Sequence, residues 1–134
     1  MASPWAWSAA TASANPAEPA RFYFLSYPAH AAYPTKHVAF AAMQANKLGS
    51  RENANERTIY KAIHAGAVET CQVVMGFTRL ETGSVWNTMP PHTHSRRSEV
   101  YLYFDLPADQ AVFHFMGSPQ ATRHLVMRNF DVVL

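Results

Sequence analysis

The sequence predicts an all-β fold, a sandwich or small barrel of short strands. Three observations lead there. From residue 58 onward polar and apolar residues alternate with a period of two, the alternating stretches are rich in β-branched and aromatic residues, and turn-forming residues interrupt them roughly every ten positions. No apolar period of 3.6 residues is sustained beyond about two turns. The length of 134 residues suits one domain. A composition that is 49% hydrophobic and 13% aromatic excludes a disordered chain and implies a packed core.

Taken in order, residues 1–18 read as a disordered tail rich in Ala, Ser and Pro, and residues 19–134 as one domain. The first fifteen residues contain neither Lys nor Arg, so they lack the basic start of a secretory signal. Residues 39–47 suit a short helix that Leu48-Gly49-Ser50 stops. Strands are then expected over 58–64, 70–80, 85–88, 99–104, 111–116 and 123–127. The breakers between them are Gly66, Glu81-Thr82-Gly83-Ser84, Pro90-Pro91, Pro107-Ala108-Asp109 and Gly117-Ser118-Pro119. Asp131-Val132-Val133-Leu134 reads as the opening of a further strand, so the sequence reads as a fragment.

Eleven Lys and Arg against nine Asp and Glu leave a net charge of +2, too small and too scattered for a nucleic-acid or membrane-surface footprint. No apolar run approaches the ~18 residues of a membrane-spanning helix. Cys71 is the only cysteine, which excludes an internal disulfide and suits a reducing compartment. It lies in an apolar stretch without a cationic neighbour and reads as an inert core thiol, and Trp86 reads as core.

The chemistry concentrates in Met89-Pro90-Pro91-His92-Thr93-His94-Ser95-Arg96-Arg97-Ser98-Glu99. On extended backbone residues i and i+2 share a side, so His92 and His94 converge, and paired imidazoles suit zinc, iron, manganese or nickel. Glu99 follows His94 at an odd offset and would face away on one unbroken strand; Ser95-Arg96-Arg97-Ser98 must bend for the carboxylate to join the histidines. Two histidines and a carboxylate then leave open positions for water or substrate. Beyond them Glu99, Tyr101, Tyr103 and Asp105 alternate with Val100, Leu102, Phe104 and Leu106, one face polar-aromatic and cavity-lining, the other apolar.

Of the seven histidines, His114 reads as an ordinary half-buried strand residue, His124 as a weaker candidate for a polar cavity, and His30, His37 and His64 as structural or exposed. Arg96, Arg97 and Arg123 are each able to clamp a carboxylate through two parallel hydrogen bonds.

From about residue 19 to residue 134 the chain resembles the 5-dehydro-4-deoxy-D-glucuronate isomerase family (4-deoxy-L-threo-5-hexosulose-uronate ketol-isomerases). The stretches that carry the likeness include Pro19-Ala20-Arg21-Phe22-Tyr23, Tyr33-Pro34-Thr35-Lys36, Leu48-Gly49-Ser50, Arg57-Thr58-Ile59 and Thr70-Cys71-Gln72. The most specific run from Trp86-Asn87-Thr88-Met89-Pro90 through His92-Thr93-His94 to Glu99-Val100-Tyr101, with Thr122-Arg123-His124-Leu125-Val126-Met127 after them. The head before Pro19 does not share the likeness. The resemblance implies a cupin-like β-barrel or jelly roll, one zinc ion on His92, His94 and Glu99, a fourth histidine ligand beyond this chain, and an additional N-terminal cupin-like module. It further implies conversion of a keto-deoxyuronate to 3-deoxy-D-glycero-2,5-hexodiulosonate in cytoplasmic pectin breakdown, by a homo-oligomer that is hexameric in relatives. Within that reaction Arg123 is the expected partner of the substrate carboxylate; a metal-bound hydroxide, His124 or Tyr103 is the candidate base. With three of four ligands, the chain is expected to hold zinc more weakly than its longer relatives. From residue pattern alone, a cupin iron(II) dioxygenase and a non-catalytic sugar-binding cupin remain open beside the isomerase.

Overall fold

The computed structural model describes residues 15, 17, 19–87 and 92–134, and the chain divides between Asn87 and Thr88 into two compact units. The sequence had suggested one domain over residues 19–134. Nearly all of the expected tail over 1–18, and the Pro90-Pro91 breaker, lie outside the described residues.

In the first unit a 3-10 turn at Phe40–Ala42 leads into strand β1 (Gln44–Leu48), which pairs with β2 (Arg57–Ile63), which pairs with β3 (Met75–Leu80), all antiparallel. The helix expected over 39–47 is therefore confined to its first turn. Ala39 supplies no side-chain cap, and an uncapped helix of about two turns is marginal in water. Pairing of Gln44 with Lys61 through Leu48 with Arg57 gives the same backbone groups better partners. The turn after β1 depends on Gly49, whose φ is +77°; a Cβ there would lie 2.2 Å from the carbonyl oxygen of Asn55. Asn55 is buried and its Oδ1 accepts the Ser50 N–H at 3.0 Å, closing the loop back on itself.

Packing on this sheet is aromatic. Tyr60 and Phe77 face each other across β2 and β3 with ring centroids 4.8 Å apart, and Phe40 covers them at 5.0 and 6.1 Å. The strand expected from residue 70 begins only at Met75, because the Thr70 hydroxyl donates to the Val73 carbonyl at 2.6 Å and turns the chain. Cys71 consequently sits in a bend instead of a core strand, half-buried, with Sγ 3.3 Å from the Ala31 N–H nitrogen. No strand forms at 85–87; Val85 N–H donates to Ala54 O at 2.8 Å and Trp86 Nε1 to Asn53 O at 3.0 Å, which ties the segment to a loop, not to a sheet.

The second unit contains β4 (Tyr101–Leu102), β5 (Val112–Ser118), β6 (Ala121–Met127) and β7 (Val132–Val133). β5 and β6 form a long hairpin turned at Pro119-Gln120, and β4 pairs with β7. Beyond Leu102 two further bonds prolong the β4–β7 contact, Tyr103 N–H to Asp131 O at 2.9 Å and Phe130 N–H to Tyr103 O at 2.7 Å. The positive φ of 55° at Asp105 then ends it short of the expected length.

The chain is thus all-β, as its sequence predicted, but the described strands make one three-stranded and two two-stranded sheets and no closed barrel. The strands are too short and too few to shield both faces of a sheet. Among the described residues the buried apolar side chains are Met127 and Val133, at 5% and 6% exposure, while Phe113, Phe115 and Val126 stand open to solvent. The core is far thinner than a 49% hydrophobic composition had implied.

Candidate metal centre

His92 and His94 lie on irregular backbone that then turns at Ser95-Arg96. Their rings meet edge-to-face with centroids 4.9 Å apart. The turn reverses the parity problem posed by the odd spacing, and Glu99 Oε1 comes to 3.2 Å from His94 Nε2, with both side chains partly exposed. The second carboxylate oxygen, Oε2, accepts the Tyr101 hydroxyl at 2.8 Å. Tyr101 in turn presents its ring to His114 on β5 at 5.3 Å, and His114 Nδ1 lies 2.7 Å from the Tyr103 hydroxyl. A continuous series of contacts therefore runs from His94 through Glu99, Tyr101 and His114 to Tyr103.

Burial pushes the Tyr101 phenol up to about 12, helped by the hydrogen bond to Glu99 and by its negative charge. Burial also raises Tyr103. Both phenols keep their protons at neutral pH. The Tyr103 hydroxyl and His114 Nδ1 share one hydrogen bond, whose direction follows the imidazole tautomer. A phenol that keeps its proton argues against Tyr103 as a resting base.

The donors present fit a zinc ion in chemistry and in one distance. Ligand atoms about 2.0–2.1 Å from a tetrahedral zinc lie about 3.3 Å from one another, close to the 3.2 Å between His94 Nε2 and Glu99 Oε1. Among the described residues no three His, Cys, Asp or Glu side chains converge at metal-holding distance. His94 and Glu99 are the pair at that spacing, and His92 lies edge-on to His94 with its ring centroid 4.9 Å away.

The β5–β6 register sorts the remaining candidates. Directly paired residues share a face, so Val112 with Met127, His114 with Leu125 and Met116 with Arg123 lie on one side, and Phe113 with Val126 and Phe115 with His124 on the other. Arg123 thus shares the face of His114, one diagonal step away. His124 does not: it packs between Phe113 and Phe115, with ring centroids at 5.9 and 6.2 Å. The weaker candidate His124 thus lies on the apolar face of the hairpin, opposite His114, because adjacent residues of a strand project to opposite faces. Arg96 and Arg97 are exposed in the segment joining His94 to Glu99.

Sequence reasoning placed His114 correctly as half-buried but missed its partners. The available signal was parity: Tyr101 and Tyr103 share the side of Glu99, and a half-buried imidazole needs hydrogen-bonding groups of that kind. Two clefts of about 400 and 390 Å³ open in the first unit, one lined by Lys47, Arg51 and Arg57, the other by Tyr33, His64 and Cys71; neither includes a residue of the metal centre.

Comparison with known proteins agrees with the resemblance already drawn. The sequence profile described as the KduI/IolB family matches residues 6–134, extending the likeness into the head that had been set apart before Pro19. Proteins named 4-deoxy-L-threo-5-hexosulose-uronate ketol-isomerase are similar to this chain: that of Caldicellulosiruptor bescii is 53% identical over 91% of the chain, and that of Shouchella clausii 54% over 92%. The same name is carried by a protein of Formosa agariphila, 56% identical over 92% of the chain. The matched region spans 44%, 45% and 44% of the lengths of these relatives, respectively. With a profile match over nearly its whole length, and the His92-Thr93-His94 to Glu99 segment inside it, the chain belongs to the KduI/IolB family.

Proposed function

We propose that this chain carries the metal centre of a zinc-dependent ketol-isomerase that converts 5-dehydro-4-deoxy-D-glucuronate to 3-deoxy-D-glycero-2,5-hexodiulosonate, within cytoplasmic uronate and pectin catabolism. The observation that carries the reading is the Ser95-Arg96 turn, which sets a carboxylate oxygen of Glu99 3.2 Å from His94 Nε2 beside a second imidazole. The shared name of the relatives supports the reaction class.

Moving a carbonyl between adjacent carbons requires a proton to leave one carbon and return to its neighbour, with negative charge developing on oxygen between the two events. Zinc held by His92, His94 and Glu99 would polarise the substrate oxygen and acidify the adjacent C–H. Around it Tyr101 holds the outer oxygen of Glu99. Tyr103 and His114 are joined through Nδ1, which leaves the imidazole Nε2 as the ring nitrogen open to substrate oxygens. Arg123, on the face of His114, is the group suited to the substrate carboxylate.

The reading is tested by loading the chain with zinc and following the uronate anaerobically by NMR, for the unaltered chain and for His94→Ala and Glu99→Ala. Isomerisation that requires zinc and is lost by about 100-fold or more in both variants is the expected result. Equal conversion by metal-free protein, or turnover that needs iron(II) and consumes oxygen, overturns it.

A further inference from the structure

The Glu99 carboxylate is exposed enough to rotate freely, yet its two oxygens point in defined directions. Oε1 faces His94 Nε2 at 3.2 Å, and Oε2 accepts the Tyr101 hydroxyl at 2.8 Å. A carboxylate partly open to solvent has several rotamers of similar energy, and a single bond to a flexible histidine is a weak restraint on them. Tyr101 differs from that histidine in being fixed at both ends. Its backbone is paired with Val133 in the β4–β7 ladder, and Val133 is buried at 6% exposure. Its ring lies against His114, which is itself anchored in the β5–β6 hairpin and bonded to Tyr103. The hydroxyl therefore approaches Glu99 from a rigid platform, whereas His94 sits on irregular backbone beside the turn.

We propose that Tyr101 is a positioning residue for the metal centre: its hydroxyl holds Oε2 of Glu99 so that Oε1 alone is presented on the histidine side. The inference rests on the metal-binding role proposed for Glu99 and adds to it a source for the orientation. One consequence follows from the geometry. With Oε2 engaged by the phenol, Glu99 binds a cation through one oxygen, which favours the low coordination number of zinc over that of cations preferring two-oxygen carboxylate ligation. Outer hydrogen bonds of this kind typically change metal affinity by about 10- to 100-fold when removed.

The experiment compares the unaltered chain with Tyr101→Phe, Glu99→Ala and Tyr60→Phe. Zinc affinity is measured by competition with a chromophoric chelator, and the visible bands of the cobalt(II)-loaded chain report the ligand set directly. Tyr101→Phe keeps the ring against His114 and deletes only the oxygen. The expected result is a loss of zinc affinity of about 10-fold or more in Tyr101→Phe, with altered cobalt bands and unchanged melting of the metal-free protein. Glu99→Ala should lose more, and Tyr60→Phe, in the first unit, should lose nothing. If Glu99→Ala leaves zinc affinity untouched, or the unaltered chain binds no zinc, the metal-centre reading itself fails. If Glu99→Ala loses affinity while Tyr101→Phe matches the unaltered chain in affinity and cobalt bands, that reading stands and the role of Tyr101 is refuted. A Tyr101→Phe protein that melts markedly earlier without metal, and loses no affinity once folded, refutes it as well.

Discussion

Each face of the β5–β6 hairpin carries one histidine, and the two faces have opposite fates. One face carries His114, flanked by Val112 and Met116, and holds the hairpin's one buried residue, Met127. The other carries His124 between Phe113 and Phe115, and those phenylalanines are 57% and 67% exposed. Both imidazoles touch aromatic rings, but only His114 has a hydroxyl within hydrogen-bonding distance. Side-chain type therefore says little about role on this hairpin. What separates the faces is whether β4 lies against them: the face that meets Tyr101 and Tyr103 becomes an ordered polar layer, and the other remains an apolar surface.

Substitutions on the two faces put that contrast at risk. The largest effect is expected from Met127→Ala, because truncating a buried side chain loses transfer energy and leaves a cavity; a destabilisation of about 2–4 kcal/mol in urea unfolding is predicted. A cost under about 0.5 kcal/mol would mean that the face does not act as a core at all.

Next comes Tyr103→Phe, which leaves half-buried His114 Nδ1 without its hydrogen-bond partner and should cost about 1 kcal/mol near neutral pH. The same variant has a pH signature. Burial raises the Tyr103 phenol, so the folded chain keeps a proton that the unfolded chain releases near pH 10. That contribution is intact below about pH 10 and is lost as pH climbs through the raised folded value, so stability should fall on the alkaline side, and less steeply in Tyr103→Phe. Identical alkaline slopes for the two proteins would count against a protonated Tyr103 facing His114.

The smallest effect belongs to the open face. Phe115→Ser should alter stability by less than about 0.5 kcal/mol, since the ring gives up little buried area, while reducing self-association seen by light scattering. A large loss of stability would show that this face is covered after all.

Much of this was readable in the residues. β2 and the β5–β6 hairpin follow from period-two alternation over 58–64, 111–116 and 123–127, and their observed spans differ from expectation by at most two residues at either end. The need for a bend between His94 and Glu99 was visible in an odd spacing, and a turn is present at Ser95-Arg96. The helix over 39–47 was misread because alanine content and a short apolar period describe local preference, and cross-strand pairing with β2 outweighs it. The strand at 70–74 failed for a related reason, since one hydroxyl bond from Thr70 to Val73 redirects a stretch whose composition favours extension.

Alternation and turn chemistry are local properties, and they alone decide that this chain forms β-strands, where the longer strands run, and that two imidazoles and a carboxylate fall within one short segment. Which face of a strand meets another element is a non-local matter. A period of two is blind to it, for shifting the partner from one side to the other leaves the pattern unchanged. Only the folded arrangement could therefore assign His114 to the tyrosines and His124 to the phenylalanines, and give Glu99 a phenol at its back.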